Sequence, residues 1–180
     1  MEKHIPKNWK LLIDENDIKN IVKNVAIKIN DKFRNSDKET IIVCILKGGI
    51  YFYVDLTREL DFPHMIYFIE ASSYKNGKKS ENLKIIKPIE ETKLKDKNII
   101  LVDELYDTGN TLSGIINYMV LKCNINKDNI YTCTLFVKDK ETAKGMPDIY
   151  GKIIPNKWII GYGLDHCSKY RNLKGLYECK

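Results

Sequence analysis

What this chain lacks narrows its function before any motif is read. No apolar run approaches the roughly 18 residues that a membrane-spanning helix needs, and the N-terminus, MEKHIPKNWK, has no signal-peptide apolar core. The expectation is a soluble cytoplasmic protein with no membrane partner. Lysines are spread out rather than set in blocks, so the formal net charge of +6 marks no nucleic-acid surface. The five cysteines contain no C-x-x-C pair, which argues against a redox dithiol. Cys44 and Cys133 lie in apolar runs, as small core residues do, and Cys167 reads as a bystander. His4, His64 and His166 share no metal-ligand spacing, so zinc is not indicated. The Walker spacing G-x-x-x-x-G-K-[ST] is missing, as are internal repeats, linkers and low-complexity segments.

What is present suits one compact domain: 180 residues, 43% of them hydrophobic. Apolar positions Ile18, Ile21, Val22, Val25, Ile29 and Phe33 have helical spacing over Asp14 to Phe33, with Asp14 or Asn16 as cap. Thr40 to Leu46 (TIIVCIL) is a continuous aliphatic run, the mark of a strand covered on both faces. A helix from Ile50 to Leu60 follows, then a strand from His64 to Ala71, a polar loop from Ser72 to Asn82 and a strand from Leu83 to Pro88. Ile99 to Val102, a helix from Thr111 to Lys122 and a strand from Asn129 to Val137 complete the alternation. Alternating strands and helices predict an α/β fold with a mainly parallel central sheet flanked by helices.

Asn98 to Thr111, NIILVDELYDTGNT, is the most informative stretch. A buried-strand run gives way to adjacent carboxylates, Asp103 and Glu104, then to the turn set Asp107-Thr108-Gly109-Asn110-Thr111 and a helix. A loop entering a helix offers unpaired N–H groups and the positive end of the dipole, hence an anion site. Gly109 permits close backbone approach, and Thr108 and Thr111 add hydroxyl donors. Two acids beside a phosphate call for hydroxyls or a divalent cation, and a ribose 5-phosphate meets both demands. Lys47-Gly48-Gly49 forms a second strand-to-helix junction, and Lys138 ends a third strand. All three polar positions are expected just past the carboxyl ends of strands, where open α/β sheets bind ligands.

The organising stretch closely resembles the phosphoribosyl pyrophosphate motif of type I phosphoribosyltransferases. Leu46-Lys47-Gly48-Gly49 resembles the pyrophosphate loop of the hypoxanthine-guanine branch of that family, and Ile154 to Leu173, IPNKWIIGYGLDHCSKYRNL, resembles its purine-binding end. The resemblance runs from about residue 11 to 176. It implies one phosphoribosyltransferase domain over 1–180, with a small hood formed from about 1–13 and 150–180. It implies magnesium-dependent transfer of 5-phosphoribosyl from phosphoribosyl pyrophosphate to N9 of a 6-oxopurine, giving a nucleoside monophosphate and pyrophosphate.

The roles implied by the resemblance are specific. Residues 107–111 hold the 5-phosphate, and Asp103 and Glu104 take the ribose hydroxyls and lie near magnesium, with Asp165 completing that arrangement. Lys47, Gly48 and Arg171 hold the pyrophosphate under a lid carrying Ser73 and Tyr74, and a non-proline cis arrangement is expected around Lys47. Asp107 is the base for purine N7, strengthened by neighbouring carboxylates and phosphate. Lys138, a donor only, selects a 6-oxo over a 6-amino group. Trp158 stacks on the purine, with Ile159 and Ile160 supplying backbone and apolar contacts. The order Asp103-Glu104 inverts the common Glu-Asp, and Asn110 stands where some relatives carry lysine. Preference for another base such as xanthine, and a non-catalytic regulator sensing the activated sugar, are the alternatives; relatives imply a homodimer or homotetramer.

Overall fold

A computed structural model describes residues 5–73, 83–141, 143 and 145–179. The elements are β1 (Lys10–Ile13), α1 (Glu15–Phe33), β2 (Thr40–Leu46), α2 (Ile50–Arg58), β3 (Met65–Ser73), β4 (Leu83–Lys87), α3 (Glu91–Leu94) and β5 (Asn98–Tyr106). They continue with α4 (Asn110–Lys122), a 3-10 turn (Lys127–Asn129), β6 (Ile130–Lys138), β7 (Ile149–Ile154), β8 (Ile159–Ile160) and β9 (Leu176–Glu178). Among the described residues no helix is long and apolar enough to cross a membrane.

The main sheet has the order β4-β3-β2-β5-β6-β7, parallel throughout except for the β3–β4 pair. Its core divides by strand alternation. Ile42, Cys44, Ile100 and Val102 point to the face packed by α1 and α2, where Val22, Val25, Ile29 and Phe52 meet them. Ile41, Val43, Ile99 and Leu101 point to the opposite face, against Leu112, Ile115 and Met119 of α4. A strand covered on both faces has no room for polar residues, which is why TIIVCIL is continuous. Each fully buried aliphatic side chain contributes about 1.5–3 kcal/mol. Cys44 and Cys133 sit in this core, and burial, followed by the Asp103 and Glu104 charges, pushes the Cys44 thiol up to about 12.

Local chemistry starts α1 cleanly. Asp14 is extended, and its Oδ1 accepts the Asp17 N–H at 2.9 Å, so Asp14 rather than Asn16 is the cap. Glu15 and Asp17 in the first turn complement the dipole.

The expected boundaries shift in ways that matter to the site. β5 runs through Asp103 and Glu104 to Tyr106, so the acidic pair lies inside the strand and not past its end. Pairing with β6 continues to Tyr106↔Val137, and this ladder outweighs the local preference of acids for loops. Lys138 is the last residue of β6, which leaves Lys47 alone beyond its strand. The face alternation also slips here. Val102 and Leu105, three apart, share the α1–α2 side, as do Cys133 and Phe136, whereas Tyr106 and Val137 join the other. α2 stops at Arg58 rather than Leu60, β3 extends to Ser73, and β4 ends before Pro88, which cannot donate to the ladder.

A second sheet, in the order β1-β9-β8, joins the chain ends: Lys10 pairs with Glu178 and Ile160 with Tyr177. Strands of two to four residues carry too little periodicity to be read from sequence.

Candidate active site

The site begins at the β5–α4 turn. Gly109 caps α4 with φ +79°, a left-handed conformation that side chains resist, and no side-chain hydrogen bond closes the cap. A Cβ there would lie 2.2 Å from the buried Tyr106 hydroxyl, so the packing also requires glycine. Asp103 and residues 105–112 line a cavity of about 60 Å³ at this turn. The turn therefore combines a helix N-terminus, a permissive backbone and enclosed space, as an anion site requires.

Asp103 Oδ1 accepts the Glu104 N–H at 3.0 Å. Burial, then the Glu104 charge and a hydrogen bond between the two carboxyls, holds Asp103 well above the usual carboxylate range. Glu104 reaches toward the neighbouring junction, where a Cβ on Gly48 would lie 1.9 Å from its Oε1. Its Oε2 is buried and, among the described residues, has no hydrogen-bond partner. A buried orphan carboxylate oxygen is costly unless a ligand or ion satisfies it.

The Leu46–Lys47 peptide is cis, and Lys47 is exposed at the start of the loop. Residues 161–171 close over this junction. A Cβ on Gly163 would lie 2.2 Å from the Gly48 carbonyl oxygen, so the two backbones touch. The Tyr162 hydroxyl donates to Asp55 Oδ2 of α2 at 2.7 Å, and burial, then this bond, pushes its phenol upward. Arg171 donates to the Gly163 carbonyl at 2.6 Å and pairs with Asp165. Asp165 also accepts the Ser168 N–H at 2.8 Å.

Asp107, on the β5–α4 turn, faces two cations: Lys140 Nζ lies 3.1 Å from Oδ1 and Lys138 Nζ 3.8 Å from Oδ2. Carboxylates were expected to crowd this residue; its ion-pair partners are ammonium groups from the end of β6 and beyond. Lys140 was not anticipated from sequence. Its one signal is the period-two spacing from Lys138, which puts both on one side of an extended chain.

The remaining positions fall in two sets. Trp158 is 63% exposed at the edge of the small sheet, whereas Ile159 and Ile160 are buried in β8. Ile160 is wholly buried, so its side chain presents no free apolar surface to a ligand. Ser73 ends β3 beside Leu83, and Tyr74 lies outside the described residues. Among the described residues no three His, Cys, Asp or Glu side chains gather as a metal site, and Asp165 belongs to the Arg171 network instead.

The β5–α4 turn, the acidic pair in β5 and the two lysines beside Asp107 define an α/β protein whose candidate ligand site lies at the carboxyl edge of a parallel sheet. Residues 9–166 match the phosphoribosyl transferase domain, and the chain belongs to that family. It is similar to the hypoxanthine-guanine phosphoribosyltransferase of Aquifex aeolicus, with 34% identity over 174 residues, 95% of this chain and 94% of that one. It is also similar to the hypoxanthine-guanine-xanthine phosphoribosyltransferase of Tritrichomonas foetus, with 32% identity over 166 residues, 91% of this chain and 87% of that one. A solved hypoxanthine-guanine phosphoribosyltransferase from Bacillus anthracis superposes with a TM-score of 0.83 at 31% identity, covering 95% of this chain and 98% of that one. The mainly parallel sheet with flanking helices is thus the type I phosphoribosyltransferase fold.

Proposed function

We propose that this chain is a hypoxanthine-guanine phosphoribosyltransferase of purine salvage, acting in the cytoplasm as a homodimer or homotetramer of single-domain chains. The small sheet and residues 150–180 form its hood. The observation that carries this reading is the meeting of Asp107, from the anion turn, with Lys138, from the adjacent strand end, at 3.8 Å. A base and a donor-only recognition group then stand beside a phosphate site, as transfer of a phosphorylated sugar to a 6-oxopurine requires.

The 5-phosphate is held by the N–H groups of residues 107–111 and the hydroxyls of Thr108 and Thr111. The ribose hydroxyls donate to Asp103 and Glu104. These two carboxylates, one with a buried orphan oxygen, fit a magnesium ion that fills its shell with water and substrate phosphate. When bound, the ion neutralises charge on the departing pyrophosphate. Asp165, engaged by Arg171 and Ser168 in the free chain, would complete the set that holds such an ion, directly or through water.

The purine stacks on Trp158, sets its 6-oxo group on the Lys138 ammonium and lies along the backbone of Ile159 and Ile160. As the bond from C1 of ribose to pyrophosphate breaks, the purine N9–C1 bond forms and Asp107 takes the proton from N7. Pyrophosphate leaves against Lys47, the Gly48 amide and Arg171. Arg171 gives up part of its hold on Asp165 or the Gly163 carbonyl to do so.

Pyrophosphate release in the presence of phosphoribosyl pyrophosphate and magnesium tests the reading. Turnover is expected with hypoxanthine and guanine and little with adenine, and a xanthine arm ranks the third base. No turnover with any purine overturns it.

A further inference from the structure

The anion turn has a charge problem. Residues 107–111 carry one charged side chain, and it is a carboxylate, Asp107. A phosphate seated at the α4 N-terminus meets that charge at close range, and within the turn only neutral donors, the backbone N–H groups and the Thr108 and Thr111 hydroxyls, offset the repulsion. The structure places two ammonium groups beside Asp107. Lys138 is the more enclosed, with 11% of its side chain exposed, and is committed to the base. Lys140 is looser, at 28%, lies nearer at 3.1 Å, and has no task in the transfer described above.

We propose that Lys140 is a phosphate-binding residue, stored on Asp107 in the free protein and transferred to the sugar phosphate when that ligand arrives. Asp107 lines the cavity at the turn, and the Lys140 ammonium lies 3.1 Å from its Oδ1. A lysine is a compact charge on a four-carbon stem, and it can change partners by rotamer shifts without moving β6. The transfer does two things at once. It supplies the cation that the turn lacks, and it uncovers the carboxylate that must accept the purine proton. Substrate binding and activation of the base are thereby coupled through one side chain. This inference rests on the phosphoribosyltransferase reading.

Calorimetric titration with ribose 5-phosphate on the full chain tests it. Lys140→Met is expected to weaken binding roughly five- to twentyfold, as loss of one charge-assisted contact does, and Lys140→Arg to recover most of that loss. The deciding arm is the Asp107→Asn background. If the ammonium acts on the phosphate, Lys140→Met still costs at least about fivefold there. If Lys140 only neutralises Asp107, the cost falls below about twofold and the proposal is overturned. Equal affinity of Lys140→Met and the unmodified chain overturns it as well. Failure of the unmodified chain to bind ribose 5-phosphate at all brings down the sugar-phosphate reading itself, and this inference with it.

Discussion

Two strand-to-helix junctions of the same local type lie side by side on one sheet edge, β2 into α2 and β5 into α4. Neither helix start carries a side-chain cap hydrogen bond. Yet the space beside Gly48 is taken by the protein's own Glu104, whereas the turn at Gly109 keeps a cavity of about 60 Å³. Local sequence made two strand-to-helix junctions with glycine at the helix start, and neighbouring elements made them unequal. An anion can enter the open junction directly. At the closed one it would meet the Glu104 carboxylate.

The largest expected effect falls on the open junction. Asp107→Asn should lower turnover by about 10²–10⁴, the usual worth of a positioned base, while ribose 5-phosphate binding is kept or improved. Equal losses of turnover and binding would show that Asp107 serves the phosphate and not the purine.

Next come the two glycines. Gly109→Ala forces a side chain into a left-handed backbone and against Tyr106, and should cost about 1–3 kcal/mol by denaturant unfolding. Gly48→Ala meets the far end of a flexible glutamate, which can swing away. It should cost less stability and raise the KM for phosphoribosyl pyrophosphate instead. Equal stability losses would break the contrast between a junction fixed by backbone and one closed by a side chain.

Tyr162→Phe sharpens the comparison at the closed junction alone, because Asp55 belongs to α2 and Gly163 rests on Gly48. Losing that bond should cost about 1 kcal/mol, or roughly 2–4 °C in Tm for a chain of this size. The purine KM should rise, and ribose 5-phosphate affinity should stay unchanged.

The smallest effect is electrostatic and is read in metal-free buffer. Asp103 is raised in the folded state by burial and by Glu104, so the folded chain holds its proton more tightly than the unfolded chain. Stability from this group is fully present below the ordinary carboxylate value, about 3.9, and is lost as pH climbs toward the raised folded value. Asp103→Asn should flatten that decline and stabilise the free protein at neutral pH. An unchanged pH profile would mean that Asp103 is not enclosed as described.

Much of this was legible because the signals were local. β2 was bounded correctly at Thr40 and Leu46, since a continuous aliphatic run needs no tertiary context. The α1 cap and the α4 turn were readable for the same reason: capping and positive φ are properties of a few adjacent residues. The misplaced end of β5 shows the limit. Asp103 and Glu104 look like loop residues, and only pairing with Thr134 and Phe136 around them keeps the strand going. The small sheet was illegible as strands, because Lys10 and Glu178 lie at opposite ends of the chain and their pairing is not a property of either segment.

The sequence by itself determined the layer order, the buried faces of the parallel strands, the glycine at the anion turn and the identity of the charged groups. These follow from periodicity and backbone sterics, which act over a few residues. Only the tertiary structure decided that Glu104 fills one junction, that Tyr162 ties residues 161–163 to α2, and that Lys140 rather than another acid faces Asp107. Polar groups in contact there lie 33 and 107 residues apart in the chain. Their separation in space, which sets every electrostatic energy, exists only once the sheet has assembled.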